Sequence, residues 1–147
     1  LEDAAGVIVK LTEEAAEAGA GGSPAERLEA FLRVHCNYLA QAGPVTRLQQ
    51  LMHRELQEPT PLLSTVIDRV WRPRFQYLGG IVGDLLQLPV DDPRVIRSVI
   101  SIHSQLVLFK PGPLINRLGP DLAHVFEPTA VAQHITAFSL AGLAAYR

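Results

Sequence analysis

The chain of 147 residues sets 13 Lys and Arg against 15 Asp and Glu, a formal charge of −2, and is 48% hydrophobic and 19% charged. These values exclude a nucleic-acid surface built from these residues themselves, because phosphate neutralisation needs Lys and Arg gathered on one face, whereas here they are scattered and Lys10 and Lys110 are the only lysines. No apolar run approaches the ~20 residues of a membrane span. The single Cys36 rules out an internal disulfide framework, and with no secretory signal in view it fits a reducing cytoplasm. The length predicts one domain, residues 1–147, and the apolar fraction implies that some apolar surface faces a second subunit or a ligand cavity.

Ala4, Ile8, Leu11 and Ala15 follow helical spacing and predict a first helix over residues 1 to about 18. Glu13, Glu14 and Glu17 place negative charge near its C-terminal end, where the helix dipole disfavours it, so fraying is expected there. Gly19-Ala20-Gly21-Gly22 breaks the pattern and reads as a flexible connection. Ser23-Pro24-Ala25-Glu26 is a capping box with proline at the first helical position. The helix it starts carries Leu28, Phe31, Leu32, His35, Tyr38, Leu39 and Ala42 on one stripe and ends at Gly43-Pro44. A third helix runs from residue 45 to about 58, with Leu48, Leu51, Met52 and Leu56 inward. Pro59 and Pro61 stop it, since each lacks an amide donor and disfavours helix in the residue before it.

Thr60 is placed to cap a long helix that reaches residue 88, with Leu63, Ile67, Val70, Trp71, Phe75, Leu78, Val82 and Leu85 on its stripe. The stripe persists through Pro73, which predicts one kinked helix in place of two. Asp92-Pro93 repeats the cap-plus-proline start. Ile96, Val99, Ile100, His103, Leu106 and Val107 follow along one face as far as Lys110, where Pro111-Gly112-Pro113 intervenes. Residues 114–126 are turn-rich, with one brief helical turn expected. Glu127-Pro128-Thr129 launches a final helix through Val131, Ile135, Phe138, Gly142 and Ala145, and the flanking Ala137, Ala141 and Ala144 let helix backbones approach closely. With no strand alternation and no internal repeat, the chain reads as an all-α bundle of five or six helices.

Catalytic patterns are missing from the sequence. Gly79-Gly80-Ile81-Val82-Gly83 lies inside a helical pattern with no preceding strand and no Lys-Ser/Thr ending, so it reads as relief of crowding where helices cross. Ser64, Ser98, Ser101, Ser104 and Ser139 lack a nucleophile-elbow context, and the neighbours His35 and Cys36 point about 100° apart on a helix. His35, His53, His103, His124 and His134 show none of the paired short spacing of a zinc site, so neither metal nor cofactor is expected. His35 and His103 stand out, because each replaces an apolar residue on a buried stripe and an imidazole there needs a partner. With Tyr38, Met52, Trp71, Phe75 and Phe109 they are candidates for a mostly apolar ligand pocket with a few convergent polar groups. Arg54 and Glu55 read as solvated charges, with Arg54 turned inward as an anion or carbonyl partner as the alternative.

Leu51-Met52-x-Arg54-Glu55-x-x-x-Pro59-Thr60, followed by a long helix containing Arg72-Pro73 and an apolar stripe, resembles the C-terminal regulatory domain of TetR-family transcriptional repressors. The likeness spans essentially the whole chain and is closest to the subgroup typified by the bacterial repressor CerR. It implies a homodimer in which helices near residues 93–110 and 128–146 form a four-helix interface, for which Ile96, Ile100, Phe138, Ala141, Gly142 and Ala145 are the candidates. It also implies a small, largely apolar or amphipathic effector among the middle helices, with residues 1–18 as part of the helix connecting to a helix-turn-helix domain. That domain lies outside these 147 residues and would carry all contact with operator DNA. Under this reading Arg54 and Glu55 fix a corner and do not touch ligand. The competing readings are a purely structural dimerisation domain without a working pocket and, more remotely, a small helical enzyme.

Overall fold

A computed structural model describes residues 2–41, 44–109 and 117–147, with the side chains of residues 2–5, 44–46, 48, 49 and 120 left out. Ala42, Gly43, Lys110, the stop at Pro111-Gly112-Pro113 and residues 114–116 lie outside the described residues, as do the inward side chains expected of Ala4 and Leu48. In chain order the elements are α1 (Glu2–Ala18), α2 (Pro24–Leu39), α3 (Pro44–Gln57), α4 (Pro61–Val66), a π-helical segment (Ile67–Trp71), α5 (Arg72–Leu86), α6 (Pro93–Leu108), a 3-10 helix (Pro120–Phe126) and α7 (Pro128–Ala144). No strand occurs among the described residues, and the fold is the expected all-α bundle.

Most helix starts are written locally. Ser23 accepts from the Glu26 amide while the Glu26 carboxylate accepts from the Ser23 amide, the reciprocal box read from the sequence. Asp92 accepts from the Arg94 amide at 2.9 Å, and the Glu127 carboxylate accepts from the amides of Thr129 and Ala130 at 3.1 and 2.9 Å. A proline at the first turn follows each of these caps, where its missing N–H leaves no intrahelical bond unmade.

Residues 19–22 are a closed turn and not the flexible connection expected. Gly19 donates to Ala15 O, Ala20 to Glu17 O and Gly22 to Gly19 O, while Gly21 takes φ 78°. The approach is close because a Cβ at Gly19 would stand 3.1 Å from the Arg27 Cα. The glycines therefore fold α1 directly back onto α2.

Between residues 61 and 86 the expected kink is a π-helical insertion. The Arg72 amide bonds back to Ile67 O, a five-residue step, just ahead of Pro73, which has no amide to give. One added residue turns the face by about 100°, so α4 buries Val66 while Ile67 is left exposed, contrary to the unbroken stripe expected. Val70, Leu78, Val82 and Leu85 are buried as expected. Gly79 and Gly80 meet open space, so helix crossing does not explain them; only Gly83 is tight, its Cβ position lying 2.9 Å from Leu88 O in the turn that ends α5.

The apolar stripes gather into two cores. The larger joins Ala15, Leu28, Phe31, Leu32, Leu78, Ile81, Val95, Ile102, Ile135 and Leu143 across α1, α2, α5, α6 and α7. The smaller unites Ile8, Met52, Val66 and Val70 from α1, α3, α4 and the π segment. On α6 the buried face is Val95, Ser98, Val99, Ile102, His103 and Leu106, which leaves Ile96, Ile100 and Val107 exposed. On α7 it is Val131, Ala132, Ile135, Thr136, Ser139 and Leu143, which leaves Phe138, Ala141, Gly142 and Ala145 outward. Both expected stripes are thus half right, because a helix squeezed between neighbours on two sides buries a face that its most apolar residues do not define.

Candidate ligand chamber

Where the two cores fail to meet, a cavity of about 300 Å³ remains, lined by Ile8, His35, Tyr38, Leu39, Met52, His53, Leu56, Val70, Trp71, Arg74, His103, Leu106 and Val107. Six elements contribute, α1, α2, α3, the π-helical segment, α5 and α6, so the space is a product of packing and not of any one helix. Of the pocket residues predicted from sequence, His35, Tyr38, Met52, Trp71 and His103 all line it. Phe75 supports the wall from behind. Its ring meets Trp71 edge-on at 5.4 Å and His103 at 5.3 Å, and Trp71 and His103 stand 4.8 Å apart. Phe109 lies elsewhere, at a small gap beside Cys36, Leu39 and Val131, with its ring 6.2 Å from Phe126 and 5.6 Å from His134.

A second space lies beside the chamber. Met52, Leu56 and Trp71 also line a groove of about 620 Å³ whose other walls include Leu63, Ile67, Phe75, Gly79, Val90, Ile96, Val99 and Ile100. Leu56, expected to point inward, is 65% exposed because it stands at this rim. Ile96 and Ile100, expected at a dimer interface, also face this groove. Phe138 and Gly142 edge a different depression of about 190 Å³ between α6 and α7, where the Gln105 amide donates to Ser139 Oγ at 3.3 Å.

Three polar atoms in the chamber wall are buried without a hydrogen-bond partner: His35 Nε2, His103 Nδ1 and Arg74 Nε. His35 Nδ1 stands 2.7 Å from Phe31 O, and since a carbonyl only accepts, that nitrogen carries the hydrogen and Nε2 keeps its lone pair. Burial, and then the nearby Arg74 charge, hold His35 well below the usual imidazole range and bring His103 down to about 3. Both rings are neutral at physiological pH. Desolvation lowers Arg74 to about 10, and no carboxylate among the described residues pairs with it.

Arg74 was missed from sequence, although a signal for it exists. It lies three residues after Trp71 and four before Leu78, on the stripe that becomes the wall. A cation at a stripe position reads as a snorkelling side chain unless the helix around it is buried. Ile8 was likewise legible as an inward residue of α1 but not as a chamber residue, which depends on α1 folding back at Gly19–Gly22.

The corner that joins α3 to α4 is held by a buried carboxylate. Glu55, 4% exposed, accepts from the Thr60 amide at 3.0 Å and from Thr60 Oγ1 at 2.8 Å, and Thr60 Oγ1 accepts from the Leu62 amide at 3.3 Å. Arg54 faces solvent. The reading of this pair as a corner and not a contact to ligand therefore has its geometry in Glu55, while the expectation of two solvated charges fails for it. Burial pushes the Cys36 thiol up to about 11, leaving no thiolate at neutral pH. Among the described residues no three His, Cys, Asp or Glu side chains group closely enough to hold a metal ion, and no helix is long and apolar enough to cross a membrane.

No curated protein matches the chain. Residues 24–143 do match a family model, described as the C-terminal domain of the HTH-type transcriptional dual regulator CecR. That span starts with α2 and ends inside α7, so it takes in the groove, the Glu55 corner and all of the chamber's lining except Ile8 of α1. The chain therefore belongs to this family of C-terminal domains of helix-turn-helix transcriptional regulators.

Proposed function

We propose that this chain is the effector-binding and dimerisation module of a TetR-type repressor, working in the cytoplasm of a bacterium and acting on operator DNA through a helix-turn-helix domain outside these residues. The observation that carries the reading is the chamber: a mostly apolar space lined by residues from six elements, with unpartnered polar atoms of His35, His103 and Arg74 in its wall. A packed core fills its voids and satisfies its polar groups, whereas a ligand site leaves both undone. Ile8 of α1 is part of the lining, so a bound effector bears directly on the helix that would lead to the DNA-binding heads. A compound that prefers the DNA-incompetent placement of α1 then shifts the population toward it by its differential affinity.

Dimerisation is assigned to the outward face of α7 with the adjoining edge of α6, where Phe138, Ala141, Gly142 and Ala145 are exposed. The deciding experiment is a thermal-shift screen of lipophilic drugs, acyl compounds and aromatic acids, run beside light scattering. An effector at a hundredfold excess over its Kd stabilises by about 2.7 kcal/mol. A dimer that no compound stabilises would leave a purely structural dimerisation domain.

A further inference from the structure

The polar groups of the chamber have a definite charge pattern. Arg74 supplies a cation with no carboxylate near it among the described residues. His103 has no hydrogen-bond partner at Nδ1 and is free to donate from it, while His35 Nε2 is an acceptor because Nδ1–H is committed to Phe31 O. The wall therefore holds one cationic donor, one acceptor and an imidazole nitrogen that donates in the tautomer protonated there, with no carboxylate among the described residues to offset the positive charge. Arg74 is half-buried, and its Nε is closed off from water without a partner, which is costly to keep. Pairing by a ligand removes that cost.

Resting on the effector-site reading above, we propose that the ligand is a monocarboxylic acid with an apolar tail, its carboxylate seated on Arg74 and His103 in the inner chamber and its tail leaving between Met52, Leu56 and Trp71 into the outer groove. The planar guanidinium fork matches a carboxylate, and the bond is charge-assisted. One cation beside two neutral imidazoles balances a single negative charge, not the two of a phosphate monoester. His35 Nε2 takes the remaining donor of the site, a water or a hydroxyl carried by the ligand. The inner chamber of about 300 Å³ is small for a whole drug-sized molecule, and the outer groove of about 620 Å³ supplies the missing room along an almost wholly apolar wall.

Trp71 is the sole tryptophan and stands where the two spaces join, so its fluorescence reports on both. The test titrates the chain with decanoate and with 1-decanol, both below their aggregation limits. Decanoate is expected to bind more tightly by about tenfold or more, the scale of a charge-assisted hydrogen bond. In Arg74→Met the affinity for decanoate falls to that for decanol, decanol binding is unchanged, and the melting temperature of the unliganded protein does not drop, because a half-buried cation whose Nε has no partner has been removed. Arg74→Lys, which keeps the charge without the fork, retains part of the preference and serves as the second variant should Arg74→Met fail to fold. Equal affinity of the wild type for acid and alcohol, or a preference that survives Arg74→Met, overturns the carboxylate assignment while leaving a ligand site in place. Binding of neither compound in either space overturns both this inference and the pocket on which it rests.

Discussion

At the scale of single residues, Glu55 and the two chamber histidines show burial deciding what a polar side chain does. The Glu55 carboxylate is closed off from water and made useful by two bonds from Thr60, one of which also orients the hydroxyl that caps α4. Removing it in Glu55→Ala leaves the Thr60 amide without its partner and loosens the cap, and is expected to lower unfolding stability by about 1–2 kcal/mol in urea titrations. Arg54→Ala next to it, on the exposed face, is expected to stay within about 0.5 kcal/mol. The histidines predict a pH dependence. Both are held neutral in the native state, below the ordinary value of 6.5, so as pH falls the unfolded chain takes up protons that the folded chain refuses. Stability is then fully present above about 6.5 and is lost on the acid side, down to about 3 for His103. The steepest slope is about 1.4 kcal/mol per pH unit for each histidine. Asp92, lowered first by the Arg94 side chain and then by its capping bond, and Glu127, lowered by its bonds from the Ala130 and Thr129 amides, add their own loss only as pH falls below the usual values of 3.8 and 4.5. Denaturation midpoints measured from pH 6.5 to 5 therefore isolate the histidines, and His103→Gln should flatten that slope.

At the scale of elements, the rod from Pro61 to Leu86 is where local chemistry and tertiary demands meet. Pro73 removes an amide, the helix answers with the five-residue bond from Arg72 to Ile67, and the added residue is what lets Val66 and Val70 serve the smaller core while Trp71, Arg74 and Phe75 serve the chamber. The kink was legible in Pro73. The π insertion was not, because no residue type marks it and only the competing demands of the two cores select it. The three glycines of α5 divide in the same way. Gly83→Ala would push a Cβ against the Leu88 carbonyl at 2.9 Å, a backbone atom that cannot yield, and is expected to destabilise by about 1–3 kcal/mol. Gly79→Ala meets open space in the groove wall and is expected to stabilise by about 0.5–1 kcal/mol from helix propensity alone. Thermal melts of the two variants side by side check both signs.

At the scale of the whole molecule, the residues expected at a dimer interface fall on two surfaces. Ile96 and Ile100 belong to the groove, whereas Phe138, Ala141, Gly142 and Ala145 make an outward face of small residues around one large ring that is 64% exposed. Phe138→Glu is accordingly expected to convert a dimer to a monomer in light scattering with an unchanged helical circular-dichroism spectrum, since the side chain packs against nothing that holds the subunit together. Ile96→Glu should leave the association intact and weaken ligand binding.

The helices, the caps at Ser23, Thr60, Asp92 and Glu127, the stop before Pro59 and the kinship with regulator domains were legible in the sequence, because capping boxes, prolines and helical spacing act over a few residues and need no distant partner. It also named five of the chamber residues, since a histidine or aromatic ring on an apolar stripe is conspicuous before any packing is known. Packing had to show which face of α6 and α7 is inside, that residues 19–22 are a turn bringing Ile8 to the chamber, that Glu55 is buried, and that Arg74, with no carboxylate partner among the described residues, stands in the wall. Each of these depends on what stands opposite a side chain, and a helix with neighbours on more than one side chooses its buried face by that opposition and not by its own composition.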